Sequence, residues 1–238
     1  MQPRNFQVAA LLRLGLPVVL EEITCSLCKQ IIDNFGDHAA CCTKNADLIH
    51  RHNRLRNLLD TICTEGGLAP VMEKKGILGD SKTPGRRPGD VTVPLWRRGL
   101  GLAIDVAVTC PFAINNLSRS DPCEYYAEAK KHKYYDADFK NTQYEFAAMV
   151  FESTGGVNEE GLAVLRQLFR FAAKREGSQL SVYCGRAWAR ISCNLQSSVA
   201  QAVLNRVGGS GALSFDDSIS DQVCDGDCNH RHFYLSHD

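Results

Sequence analysis

The spacing of apolar residues along the chain predicts helices and strands in a mixed order. A helix is expected over residues 47–63, because apolar side chains recur there at helical spacing, at Leu48, Leu55, Leu59 and Ile62. The other predicted elements are an extended segment at 70–78, strands at 90–96, 102–109 and 144–152, and helices at 122–135, 158–175 and 179–206. This order indicates an α/β or α+β fold, in which a small mixed sheet is flanked by helices and followed by a helical pair.

Changes in composition divide the chain into four predicted parts. They are an N-terminal segment at 1–46, a core domain at 47–156, C-terminal helices at 157–207 and a polar, flexible tail at 208–238. The apolar stretch Val8–Leu20 contains Arg13 and Pro17 and is too short to cross a bilayer. We therefore expect neither a signal peptide nor a membrane-spanning segment.

The balance of charge limits how the chain could bind nucleic acid. The chain holds 27 Lys and Arg against 27 Asp and Glu, which excludes a uniformly basic surface. Basic residues nevertheless occur in clumps, such as Arg86-Arg87 and Arg97-Arg98. These clumps are compatible with solvated faces or with one basic groove, so any nucleic-acid binding must come from a local patch.

The chain contains eleven cysteines, a high count for its length. An odd number in a long chain favours reduced thiols and metal ligands over disulfides, and therefore an intracellular compartment. Some cysteines lie singly in apolar segments and are predicted to be buried thiols: Cys63, Cys110, Cys184 and Cys193. A Cys/His group in the tail is interpreted as incidental composition: Cys224, Cys228, His230 and His232.

Closely spaced cysteines and a histidine near the N-terminus have the spacing of a structural zinc site. Two residues separate Cys25 from Cys28, and nine more precede His38. Zinc favours four tetrahedral nitrogen and sulfur ligands, which two close pairs can supply. Cys42 is our preferred fourth ligand, and its competitors are Cys41, His50 and His52. The alternative is that these thiols are simply buried beside an unrelated histidine.

Carboxylates in the predicted sheet form a second candidate site. Asp105 interrupts a strand that is apolar on both faces, Leu102–Thr109, where an isolated charge would be costly. Asp90 begins the preceding strand, and Glu73 lies in the extended segment before it. If these strands are neighbours, the carboxylates form an oxygen site suited to Mg²⁺ or Mn²⁺. The alternative is that Asp90 is a turn residue and that Asp105 acts as a cap or pairs with an arginine.

Taken in order, these residues resemble a known family. The shared landmarks are Cys25, Cys28, His38 and Cys42; Arg51-His52-Asn53; Pro88-Gly89-Asp90; Asp105; Tyr126 to Lys130; and Lys133-Tyr134. They resemble the restriction-enzyme-like (PD-(D/E)XK) endonuclease region, with its preceding CCHC zinc knuckle, of site-specific non-LTR retrotransposons. The resemblance covers about residues 10–155. It implies a restriction-endonuclease-like core that hydrolyses phosphodiester bonds in DNA.

The resemblance also implies roles for individual residues. Asp90 and Asp105 would bind Mg²⁺ or Mn²⁺ with assistance from Glu73, and the knuckle would hold Zn²⁺. DNA contacts are expected from Arg51, His52, Asn53, Arg86 and Arg87. As part of this motif, His52 would contact DNA or support the site, and it also fits a buried position on the apolar stripe of its helix. The implied partners are DNA and, beyond it, RNA or a reverse transcriptase region of the same element, in the nucleus or otherwise the cytoplasm.

Two departures from the family pattern bear on activity. Gly89 stands between the proline and the first aspartate, which the pattern keeps adjacent. The lysine expected two residues after the second acid is replaced by Ala107. The resemblance then implies a lysine from the following helix, Lys130 or Lys133. An alternative function is a catalytically dead, retroelement-derived module that binds zinc and DNA.

Overall fold

A computed structural model describes residues 1–78 and 85–208 of the chain. Its helices are α1 (Pro3–Leu14), α2 (Asp37–Cys41), α3 (Asp47–Glu65), α4 (Pro122–Tyr126), α5 (Lys133–Phe139), α6 (Glu159–Glu176) and α7 (Leu180–Val207). Its strands are β1 (Ile23–Thr24), β2 (Ile31–Ile32), β3 (Val71–Met72), β4 (Val91–Arg97), β5 (Leu100–Thr109) and β6 (Tyr144–Glu152). A π-helical turn, Ala127–His132, joins α4 to α5 and is called the π turn below. The predicted tail from 209 onward, with Cys224, Cys228, His230 and His232, lies outside the described residues.

The elements predicted from residue 47 onward are confirmed in their order and type. The helix expected over 122–135 extends to Phe139 through the π turn, and the extended segment at 70–78 contributes only the short strand β3. The sequence pattern does not predict α1, because the apolar residues of this helix are not gathered on one side. It also misses β1, β2 and α2, which are too short to show a period.

Within the described residues, the main sheet has four strands in the order β3-β4-β5-β6. β4 runs antiparallel to β3 and β5, whereas β5 and β6 are parallel. Val91 lies opposite Ile104, and Asp105 lies opposite Ala148 of β6. The prediction of a small mixed sheet flanked by helices is therefore confirmed, and the start of β4 lies beside the middle of β5.

Helices cover both faces of this sheet, which explains why β5 is apolar on both sides. On one face, α3 and α6 share an apolar core with the sheet that includes Leu55, Leu59, Val106, Met149 and Leu165. On the other face, Ala107 packs with Cys123 of α4 and Ala127 of the π turn. Burying each large aliphatic side chain stabilises the fold by roughly 1.5–3 kcal/mol.

Gly89 occupies a point where the chain approaches β5 closely. A Cβ at this position would lie 3.1 Å from the Cβ of Ala103 and 3.4 Å from the backbone of the same residue. A side chain at this position would therefore require Ala103 or the start of β4 to shift by a few tenths of an ångström. Packing thus accounts for the glycine that separates Pro88 from Asp90.

The chain divides into two compact units. The sheet unit comprises residues 45–198 and contains the main sheet, α3, α6 and most of α7. Of the described residues, the knuckle unit comprises 1–44 and 199–208, including the last turns of α7. In the knuckle unit, β1 and β2 form a short antiparallel ribbon. Gly36, with a φ of 76°, then precedes α2 in a left-handed conformation that glycine adopts readily.

Candidate functional site

Ligand-type side chains converge in the described part of the knuckle unit. The ligand atoms of Cys25, Cys28, His38 and Cys42 all lie within 4.8 Å of one another. A tetrahedral zinc ion with Zn–S bonds of about 2.3 Å needs ligand atoms roughly 3.8 Å apart. The cluster therefore has the composition and compactness of a site that could bind zinc. Cys42, rather than Cys41, is its fourth member.

The backbone around this cluster favours the thiolate form of Cys25. Burial opposes ionisation of this thiol, but hydrogen bonds lower its pKa to about 6. The donors are the backbone N–H groups of Cys28 and Leu27, with a further contribution from the side chain of His38. The cluster has two arms, one with Cys25 and Cys28 and the other with His38 and Cys42. On the second arm, the carboxylate of Asp33 accepts a hydrogen bond of 3.2 Å from the backbone N–H of His38. Since zinc binds thiolates, the hydrogen bonds around Cys25 favour the form of this side chain that binds a metal ion.

The predicted buried thiols are only partly confirmed. Cys63 and Cys110 are buried, and burial raises the pKa of Cys63 to about 12. Cys184 is half-buried, and Cys193 is exposed, so the prediction for Cys193 was wrong. Cys193 follows the buried Ile191 by two residues, and this spacing turns a side chain to another face of a helix. No two of the nine cysteines in the described ranges are joined by a disulfide.

The second candidate site lies where β4 begins beside β5. The backbone N–H of Asp90 donates to the carbonyl of Ile104 over 2.8 Å, and its carboxylate accepts from the N–H of Val106 over 2.7 Å. These bonds hold Asp90 beside Asp105, which lies between the two bonded residues of β5. The carboxylates interact: burial raises the pKa of Asp105, and the charge of Asp90 raises it further.

The lysine at this site is Lys131, whereas the resemblance implied Lys130 or Lys133. The Lys131 ammonium forms an ion pair with the buried Asp105 carboxylate, while the other two lysines are exposed. Burial opposes the charge on Lys131, but the Asp105 carboxylate raises the pKa of Lys131 overall. Ala107 lies two residues beyond Asp105 and shares its face of β5, under the helical segment that supplies the lysine. Asp105 thus pairs with a lysine and not with the arginine considered as the alternative.

The π turn explains which lysine faces the sheet. Its i→i+5 hydrogen bonds widen the helix and shift the phase of its side chains relative to the regular helix expected over 122–135. His132 anchors the turn, with Nδ1 2.8 Å from Asp136 and Nε2 2.9 Å from Glu160. The Glu160 carboxylate also accepts a hydrogen bond of 2.7 Å from the N–H of Ala148, the β6 residue opposite Asp105. The segment bearing Lys131 is therefore tied to the edge of the sheet.

His52 of α3 belongs to this site as well. Its Nε2 lies 3.1 Å from Oδ1 of Asp90. This hydrogen bond raises the pKa of His52, against the opposing effect of burial. The side chain is 30% exposed. Of the two interpretations drawn from the sequence, the contact with Asp90 favours a supporting role at the site over a position in the core.

The carboxylate of Glu73 pairs with arginines in this structure. Its carboxylate forms ion pairs with Arg56 and Arg87, one at each oxygen. Its backbone N–H donates to the carbonyl of Asp90 over 2.9 Å. Within residues 1–78 and 85–208, one group of three or more candidate metal ligands converges. It is the Cys/His group that could bind zinc, called the zinc cluster below. Glu73 therefore anchors two arginines beside the aspartates.

The residues expected to contact DNA differ in their accessibility. Arg51 is only 4% exposed, so the structure does not present it to a phosphate. Arg86 is engaged in an ion pair and lies over two tyrosine rings. Arg87 is half exposed, and Asn53 is half-buried. Arg87 is thus the most accessible arginine of the predicted set.

Sequence reasoning missed several residues of this site: Arg56, Lys131, His132 and Glu160. Arg56 follows His52 by four residues, and this helical spacing places both side chains on one face of α3. That signal was available in the sequence. No comparable signal marks Lys131, because the phase of the π turn selects it, and Glu160 comes from a distant helix.

Comparison with known proteins finds no matching family model and no similar curated protein. None of the helices formed by the described residues has the length and apolar character that crossing a membrane requires. Both sites are therefore interpreted from their own chemistry.

Proposed function

We propose that this chain is a divalent-metal-dependent DNA endonuclease with a restriction-endonuclease-like core and a preceding zinc knuckle. It would resemble the target-nicking region of site-specific non-LTR retrotransposons. The observation that carries the proposal is the grouping of Asp90, Asp105 and Lys131 in the sheet unit. Two acids and a lysine are the set that the resemblance requires. The small mixed sheet flanked by helices is compatible with the core that it implies.

The two aspartates suit a hard divalent cation. Carboxylate oxygens are the ligands that Mg²⁺ and Mn²⁺ favour. Burial and the neighbouring charge of Asp90 raise the pKa of Asp105, and a dication would offset both effects. When bound, such an ion lowers the pKa of a coordinated water and stabilises the charge on a phosphate under attack.

Lys131 and His52 would act beside these carboxylates. The Lys131 ammonium, kept charged by Asp105, would hold the scissile phosphate or orient the attacking water. His52 would fix the orientation of Asp90 through their hydrogen bond. On this proposal, Ala107 does not remove the lysine from the site, because a different element supplies it.

Phosphates of the DNA backbone would be contacted by the half-exposed Arg87, which Glu73 holds beside Arg56. The planar guanidinium group matches the geometry of phosphate oxygens. Binding of this kind weakens as the salt concentration rises. RNA, or a reverse transcriptase region of the same element, is a further proposed partner, and a DNA substrate would imply a nuclear location.

A second candidate function is a catalytically dead module that binds zinc and DNA. The ion pair between Lys131 and Asp105 favours it, because the ammonium already neutralises the buried carboxylate. Under this alternative, Lys131 is a substitute for the metal ion and stabilises the fold without chemistry.

Nicking of supercoiled plasmid in Mg²⁺ or Mn²⁺ separates these functions. The parent should produce open circles, and Asp105→Asn should be slower by about a thousandfold, since a lost metal site removes several kcal/mol of transition-state stabilisation. Glu128→Gln is the matched control, because it removes one negative charge from an exposed position on the π turn. Undiminished nicking by Asp105→Asn would contradict the assignment. A parent that binds DNA in a salt-sensitive way without nicking would support the dead module, and absent binding would contradict both functions.

A further inference from the structure

Arg206, in the last turn of α7, is a buried cation within the knuckle unit. Its residue exposure is 1%. The guanidinium donates to the carbonyl oxygens of Cys42 over 2.8 Å and of Lys44 over 3.0 Å. A third bond of 2.6 Å reaches the carbonyl of Ala202 in its own helix. Because burial of a charged group is expensive, this position calls for compensation by its surroundings.

The other arm of the knuckle contacts the same helix end. Ser26 lies in the turn between Cys25 and Cys28. Its backbone N–H donates to the carbonyl of Arg206 over 3.1 Å, and its hydroxyl donates to the carbonyl of Asn205 over 3.1 Å. Carbonyls in the last turn of a helix lack partners within the helix, so these bonds act as a cap. Both arms that carry metal ligands therefore hold one helix end.

The net charge of the cluster with zinc bound would account for a buried guanidinium in this unit. Three thiolates and a neutral imidazole around a divalent ion leave a net charge of about −1. A nearby cation stabilises such a cluster most where water is excluded. Arg206 donates directly to the carbonyl of Cys42, whose Sγ is one of the ligand atoms. The guanidinium therefore orients this ligand and supplies the opposite charge.

We infer that Arg206 is the counter-charge and positioning residue of the zinc cluster, and that zinc binding is linked to docking of the last turn of α7. Arg206 holds the arm that carries Cys42, and Ser26 of the other arm holds the helix end. Zinc joins the two arms, so its binding and the docking of the helix end stabilise each other. Such linkage is reciprocal for binding free energies. The inference concerns the knuckle unit alone and stands or falls separately from nuclease activity.

Zinc affinity of the full chain, measured by competition with a chromogenic chelator, tests the role of Arg206. Arg206→Gln should bind zinc about 10–100-fold more weakly, the usual effect of losing a residue that supports a metal ligand. Arg206→Lys should lose less, because the charge remains. Lys44→Gln is the matched control: it removes the same charge from an exposed side chain and keeps the backbone carbonyl. Unchanged affinity in Arg206→Gln, or an equal loss in Lys44→Gln, would overturn the inference.

Hydrogen exchange of the parent protein tests the linkage without a substitution and stays decisive if Arg206→Gln does not fold. Removing zinc with a chelator should speed amide exchange at Ser26 and over residues 202–207. Exchange in α6, which belongs to the sheet unit, should not change. Unchanged exchange at the end of α7 would overturn the linkage, and so would an equal loss of protection in α6.

Discussion

The two candidate sites differ in how the chain builds them. The zinc cluster takes its ligands from one short stretch, residues 25–42, with its turns fixed by local hydrogen bonds. The second site takes Asp90 from the start of a strand, Asp105 from the middle of the next, and Lys131 from the π turn. The first set offers four sulfur and nitrogen atoms, the number and type found in structural zinc sites. The second offers carboxylate oxygens, which are hard ligands, next to an ammonium group. A local motif thus brings the Cys/His group together, whereas tertiary contacts bring Asp90, Asp105 and Lys131 together.

The two sites also differ in how their surroundings shift the pKa of a central side chain. Around Cys25, burial opposes ionisation, but backbone and side-chain hydrogen bonds together outweigh it and lower the pKa of this thiol, so its anion is favoured. Around Asp105, burial and Asp90 raise the pKa, and Lys131 opposes them. Groups held against their preferred protonation state are typical of functional sites. At Cys25 the local hydrogen bonds favour the charged form, whereas at Asp105 burial and a like charge oppose it.

Loss of a ligand from the closed site should give the largest effect. Zinc stabilises structural sites by about 10–16 kcal/mol, so Cys42→Ser should weaken zinc binding by at least about a thousandfold. Cys41→Ser removes the adjacent thiol, which is not part of the cluster, and should change affinity less than about threefold. Competition titration of both variants checks this. Equal losses would mean that the two thiols share the fourth position.

Removal of the lysine should give the next largest effect. Lys131→Met should reduce nicking by about 10²–10³-fold, the range seen when one stabilising donor is lost from an active site. Lys130→Met and Lys133→Met are controls from the same helical segment, because both side chains are exposed, and they should stay within about twofold. A larger loss in either control than in Lys131→Met would show that Lys130 or Lys133, as the resemblance implied, is the lysine that acts in nicking.

Much of the core fold could be predicted because its signals are local. The apolar strand around Asp105, the stripe of α3 and the Cys/His spacing each lie within a short segment. The order of elements then constrains the sheet, since a short connection favours antiparallel neighbours and a helical crossover favours a parallel pair. The pairing of Asp90 with β5 follows from this order.

The rest of the acidic site could not be predicted, because it depends on phase and on distant partners. Lys131 faces Asp105 only through the π turn, which no propensity distinguishes from a regular helix. Nothing in the sequence around Glu73 indicates that Arg56 and Arg87 pair with its carboxylate. Arg51, in contrast, lies four residues before the buried Leu55, so helical spacing does place it on the apolar stripe of α3. Periodicity predicts which face is apolar, and it does not predict which polar side chains meet.

The support of the lysine segment should depend on pH. Burial opposes the charge on His132, but Asp136 and Glu160 raise its pKa above the ordinary value of 6.5. The stabilisation is therefore fully present below pH 6.5 and is lost as pH rises through the folded-state pKa. His132→Gln should lower the free energy of unfolding by about 1 kcal/mol near pH 6 and by less near pH 9. Urea unfolding at both pH values measures this.

The control for this pH dependence is His50→Gln. His50 is an exposed histidine of α3, so its substitution should change the free energy of unfolding little at either pH. A deficit of His132→Gln that stays constant from pH 6 to pH 9 would show that the contacts of His132 act without its charge. Charge pairing of His132 with Asp136 and Glu160 would then not contribute to holding the segment that bears Lys131.

The smallest effect should come from Glu73, and it decides where the acidic site ends. Glu73→Gln breaks ion pairs that are partly exposed, so the free energy of unfolding should fall by at most about 1 kcal/mol, and by less at high salt. The Mg²⁺ concentration that half-saturates nicking should stay within about twofold of the parent, because the carboxylate serves the arginines. Asp90→Asn, the matched change at a proposed ligand, should raise that concentration strongly. If Glu73→Gln raises it as much, Glu73 leaves its arginines when the metal binds, and the acidic site closes around its ion as the zinc cluster does.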